Sequence, residues 1–77
     1  MSALEQLVTL VEAVLDADVP ADGATRFKDL PGWDSVSAMR LIKQVEKAFG
    51  VKLPIKQYLA ATTLAEVEQL IAGAVPA

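Results

Sequence analysis

The stretch Leu30-Pro31-Gly32-Trp33-Asp34-Ser35-Val36-Ser37-Ala38-Met39-Arg40-Leu41 decides the reading of the chain, because it closes one segment and opens the next at a serine. Pro31 and Gly32 interrupt whatever precedes them. Asp34 and Ser35 are residue types that cap helix N-termini, and an apolar helical pattern begins at Val36. A hydroxyl at Ser35 is therefore expected at the exposed, positive end of a helix. Such a place suits a phosphodiester, whose charge the free N–H groups and the dipole of the first turn stabilise.

Downstream, the pattern predicts a helix over 35–49 that stops at Gly50, with Pro54 shortly after. A short third segment follows over about 55–60. The last helix opens with Thr63-Leu64-Ala65-Glu66, a capping box, carries Leu64, Val67, Leu70 and Ile71 on one face, and ends at Gly73, leaving 74–77 as a fraying tail. Upstream, Leu4, Leu7, Val8, Val11, Val14 and Leu15 recur at helical steps behind a second capping box, Ser2 with Glu5, and predict a helix over about 3–16. Between them, 17–33 loses all periodicity and reads as a long connection anchored by Val19, Phe27 and Leu30. Four helical segments and no convincing strand define an all-α chain, a single domain over 1–77 with its core in about 3–73.

With 77 residues the chain holds one core and no deep substrate pocket, and 53% hydrophobic residues mark it as globular. A formal charge of −3 argues against nucleic acid as a partner. The absence of cysteine and histidine removes the thiolate nucleophile, the sulfur ligand, and the commonest base and metal ligand. Catalysis by this chain alone is not expected, nor is a metal site: Asp16, Asp18, Asp22, Asp29 and Asp34 do not follow the spacing of a calcium loop. No apolar run is long enough to span a membrane, the start lacks the pattern of a signal peptide, and the expected compartment is the cytoplasm.

The helical wheel of 35–49 sends Ala38, Leu41, Ile42, Val45 and Phe49 to the core and leaves Val36, Met39, Arg40, Lys43 and Lys47 on the other side. Apolar groups among charges beside Ser35 form either a small docking surface or a widened core stripe.

The run Gly32-Trp33-Asp34-Ser35-Val36, with Met39-Arg40-Leu41-Ile42, Val45-Glu46-Lys47-Ala48-Phe49-Gly50-Val51, Leu53-Pro54 and Ala61-Thr62-Thr63-Leu64-Ala65-Glu66-Val67, resembles the acyl and peptidyl carrier proteins. The likeness spans about 4–72 and joins a motif to the right order of helices. It implies a small four-helix bundle, three longer helices and one short third helix. It also implies that a phosphopantetheinyl transferase converts Ser35, using coenzyme A, into a residue bearing 4′-phosphopantetheine. The arm's thiol would carry acyl or aminoacyl groups as thioesters from a loading enzyme, an acyltransferase or an adenylating ligase, to a ketosynthase or other condensing enzyme. The chain would be a monomeric shuttle and not an enzyme. Tethering a thiol gives a cysteine-free chain its reactive group and raises the group's concentration at partner sites.

By the same resemblance Asp34 matches the acidic residue before the serine, which caps the helix and meets the transferase or its metal. Val36 and Met39 match apolar positions that touch partners. Trp33 stands where small or polar residues are common; it packs over the loop or shields the start of the arm. The main departure is charge. Fatty-acid carriers present an acidic second helix, whereas Ser37, Arg40, Lys43 and Lys47 here face only Glu46. Such a face fits poorly to partners selected for acidic carriers and points to a polyketide or nonribosomal-peptide type of pathway. Asp34 favours acyl cargo, with aminoacyl cargo open.

Two further alternatives stay open on sequence. Ala38, Val45, Ala60 and Ala61 either line a cleft that shelters cargo or belong to a close-packed core, and Tyr58 either bonds a tethered chain or caps the core with its hydroxyl in water. From a different class, an unmodified helical interaction module would present the same Val36 and Met39. Met1 and the short tail favour a free-standing protein over an excised synthase domain.

Overall fold

A computed structural model describes residues 2–18 and 22–76. Helix α1, Ala3–Leu15, begins where the Ser2 hydroxyl accepts the Glu5 N–H and ends at Asp16, the one described non-glycine residue with positive φ, which serves as a left-handed C-cap. A turn of 3-10 helix, Phe27–Asp29, interrupts the long connection. Helix α2, Ser35–Phe49, follows the Asp34 cap and stops at Gly50, whose φ of 65° suits a residue without Cβ. Helix α3, Ile55–Ala60, starts after Pro54, and helix α4, Leu64–Ala72, starts at Thr63, whose hydroxyl accepts the Glu66 N–H. The four helices stand within a residue of their predicted bounds.

Periodicity also places the core. Leu7 and Val11 of α1, Leu41 and Val45 of α2, and Leu64 and Val67 of α4 are fully buried, joined by Ala38, Ile42 and Tyr58. Phe49, predicted inside, is half-buried at the edge of this cluster. Phe27 and Leu30 anchor the connection as expected, while Val19 lies outside the described residues.

The all-α bundle stands as expected, with one addition: Val51–Lys52 (β1) pairs antiparallel with Val75–Pro76 (β2), a small ribbon where no strand was read and a tail was expected. Two residues on each side leave no period to read, and the partners lie far apart in sequence, so only the tertiary fold shows the pairing.

The connection is stitched to the start of α4. The Phe27 N–H donates to the Thr62 carbonyl, the Leu64 N–H to that of Thr25, and the Ala65 N–H to that of Gly23, with Arg26 and Thr63 forming an isolated bridge. Within it, Asp22 Oδ1 accepts from the Ala24 N–H and the Thr25 hydroxyl, giving that carboxylate a turn-forming role.

Candidate functional site

The first turn of α2 is built by its neighbours. Gly32, with φ of 76°, reverses the chain, and the Trp33 N–H donates to the Leu30 carbonyl. Asp34 is extended at the N-cap, where its Oδ1 accepts the Ser37 N–H at 2.9 Å and its backbone carbonyl accepts that of Ala38. The Ser37 N–H holds the Asp34 carboxyl below the usual carboxylate range, helped by the Val36 N–H and the charge of Arg40.

Two serines stand in this turn, and their surroundings differ. Ser37 Oγ donates to the Gly32 carbonyl at 3.4 Å and is half-buried. Ser35, the first helical residue, is exposed, and its hydroxyl has no hydrogen-bond partner among the described residues. The cap is therefore Asp34 alone, which leaves the Ser35 hydroxyl free for an incoming group.

Trp33 is half-buried and stacks on Phe27, ring centroids 4.7 Å apart, so it packs over the connection. Val36 and Met39 are 56% and 42% exposed, which rules out the widened core stripe. Arg40, Lys43 and Lys47 share that exposed side and form no salt bridge among the described residues. Glu46 does not oppose them as the sequence suggested: its carboxylate accepts the Leu53 N–H at 2.8 Å, tying α2 to the segment before α3.

Tyr58 does neither of the things expected of it. It is 4% exposed, and its hydroxyl donates to the Ala38 carbonyl inside the bundle. Burial pushes its phenol well above the ordinary value. The Ala38 carbonyl, already the acceptor of its helical bond, uses its second lone pair here. Ala38 and Val45 belong to the packed core, and Ala60 lies on the surface.

Known proteins agree with this picture. The family model of the phosphopantetheine attachment site matches residues 5–71. Among solved structures, the holo acyl carrier protein of Geobacter metallireducens is similar with a TM-score of 0.83 at 24% identity, covering 95% of this chain and 85% of that one. A Mycobacterium tuberculosis protein assigned as an acyl carrier protein is similar with a TM-score of 0.85 at 19% identity, covering 94% and 97%. No curated protein matches the chain. The architecture is that of a small helical carrier. The chain belongs to the phosphopantetheine attachment family, whose members bear the group covalently.

Proposed function

We propose that this chain is an acyl carrier protein whose Ser35 bears 4′-phosphopantetheine, and that it delivers acyl thioesters to enzymes of a polyketide or related specialised pathway. The observation that carries the reading is the exposed, unpartnered hydroxyl of Ser35 at the head of α2, beside a Ser37 hydroxyl already engaged. In the modifying step Ser35 Oγ attacks the coenzyme A phosphorus that bears the pantetheine. The new O–P bond replaces the pyrophosphate P–O bond, 3′,5′-adenosine bisphosphate leaves, and the serine proton passes to a base of the transferase. The product phosphodiester lies at the positive end of α2, where a negative charge is stabilised. Asp34 orients this turn through the Ser37 N–H and offers its carboxylate to the transferase or its metal.

Trp33, Val36, Met39, Arg40, Lys43 and Lys47 form the partner-facing side in this reading. Exposed apolar groups ringed by cations that form no salt bridge among the described residues fit an apolar socket with an acidic rim on the loading and condensing enzymes. The pathway assignment rests on that charge pattern, which suits partners other than those selected for acidic carriers.

The test is intact mass after incubation with coenzyme A, magnesium and a broad-specificity phosphopantetheinyl transferase. The wild type and Ser37→Ala each gain one phosphopantetheine, and Ser35→Ala gains none. Absence of any gain, with a known carrier modified in parallel, would favour an unmodified interaction module.

A further inference from the structure

The cations of α2 are not spread evenly over its exposed side. Toward α3 the helix is engaged: the Ala38 carbonyl accepts the Tyr58 hydroxyl, and the Glu46 carboxylate accepts the Leu53 N–H. Toward α1 it is open. A hollow of about 310 Å³ lies between Ala13 and Val14 of α1 and Arg40, Lys43 and Gln44 of α2. One turn further along both helices, a second hollow of about 300 Å³ lies between Gln6, Thr9 and Leu10 of α1 and Ala48 of α2. The two follow one another along the seam of antiparallel helices as one shallow furrow. Its floor is apolar, with half-buried Leu10 and Val14 and the methyls of Ala13 and Ala48. Its α2 edge carries Arg40 and Lys43, continued by Lys47 one turn after Lys43, and none of the three forms a salt bridge among the described residues. Its α1 edge is uncharged; Glu12 and Asp16 lie beyond, around a separate hollow that Thr9 and Ala13 also border.

We propose that this furrow seats an acidic amphipathic helix of a partner enzyme, laid along the α1–α2 seam. The inference rests on the reading of α2 as the partner-facing side and adds where its charge is used. From Gln6 to Val14 the furrow runs about 12 Å, room for about two turns of a third helix with apolar anchors at i, i+3 or i+4, and i+7. Carboxylates along one edge of that helix meet Arg40, Lys43 and Lys47, whereas carboxylates along the other edge approach Glu12 and Asp16 and are repelled. The match is therefore one-sided, and it fixes which edge of the partner helix faces α2. Arg40, where the furrow ends, lies about 7–8 Å along the helix axis from Ser35. A helix held there grips the carrier without covering the attachment point.

The experiment uses the intact ¹⁵N-labelled chain and a synthetic helical peptide of about three turns, with leucines on one face and glutamates along one adjoining edge. A second peptide has lysine in place of each glutamate. Amide shifts are expected at Leu10, Ala13, Gln44 and Ala48 with little change at Ile55 and Leu59, and added salt is expected to weaken binding. Lys43→Glu combined with Lys47→Glu is expected to raise Kd roughly tenfold. Ala13→Gln combined with Ala48→Gln fills the furrow at two exposed positions, keeps the helical circular dichroism, and is expected to abolish the shifts. Shifts centred on Ile55 and Leu59, equal binding of the lysine peptide, no shifts at about millimolar glutamate peptide, or dimerisation of the chain that the Ala13 and Ala48 changes abolish would each overturn the furrow. Intact mass is read separately. A chain that gains phosphopantetheine and ignores the peptide keeps the carrier reading and loses the furrow, and a chain that binds the peptide without gaining mass does the reverse.

Discussion

Asp34 and Tyr58 are the two titratable groups on which the local architecture bears most, and they act at opposite ends of the pH scale. The Asp34 carboxyl is held low in the folded state by the Ser37 N–H. Its contribution is therefore complete above the unfolded value of 3.8 and fades as acid takes the pH through the lower folded value. Wild type should exceed Asp34→Asn in urea midpoint at pH 7, and the difference should shrink below about pH 4, since asparagine caps without titrating. Tyr58 runs the other way. Its phenol is raised, so its contribution is complete below the unfolded value of 10.0 and is lost with increasing alkali above it. As the only tyrosine, its ionisation is read directly by phenolate absorbance, which should rise together with loss of helical circular dichroism. Tyr58→Phe should cost about 1 kcal/mol in a denaturant titration at pH 7 and should soften the alkaline transition. A phenol that titrates normally in a fully helical protein would contradict the buried hydrogen bond.

At the scale of the element, α2 joins a cap, a charged stripe and a stop. Gly50→Ala meets no steric neighbour, so its cost is that of a Cβ in the left-handed region, about 1–2 kcal/mol by urea unfolding. The stripe has a kinetic signature. With a partner whose socket is acidic, Lys43→Glu combined with Lys47→Glu should slow loading of the holo protein, mainly through association, and added salt should slow the wild type more than the variant. Equal rates at every ionic strength would remove these lysines from docking. Much of this helix was legible in sequence. The wheel set Val36 and Met39 apart from Leu41 and Val45, because a period of 3.6 sorts faces without tertiary knowledge, but only their exposure in the fold decides against a widened core stripe. What stayed hidden depended on contacts between elements: Glu46 reaching the Leu53 N–H, the Tyr58 hydroxyl turning inward, and the pairing of β1 with β2. A polar side chain does not announce its partner when that partner is a backbone group set by another segment. At the site, the motif singled out Ser35, but it could not show that Gly32 occupies the neighbouring hydroxyl of Ser37.

For the molecule as a whole, a single core in 77 residues leaves a small margin. Leu41 is fully buried, and Leu41→Ala should cost about 2–5 kcal/mol, comparable with the entire stability of a domain this size. The variant should be largely unfolded at 37 °C by circular dichroism. Charge is distributed unevenly as well. Arg40, Lys43 and Lys47 lie on α2, whose one acid, Glu46, is turned to the Leu53 N–H, while the chain as a whole carries −3, so the molecule has an electrical polarity that can turn it during approach to a partner.

The bonds that join the connection to α4 also set an order in time. Residues 23–27 are fixed by carbonyls and N–H groups of residues 62–65, which leave the ribosome later than Ser35 does. At about 5–20 residues per second, a nascent chain exposes the serine seconds before the strap that steadies its approach can close. A modifying enzyme that needs the finished shape would act only after nearly the whole domain, α4 included, has been made.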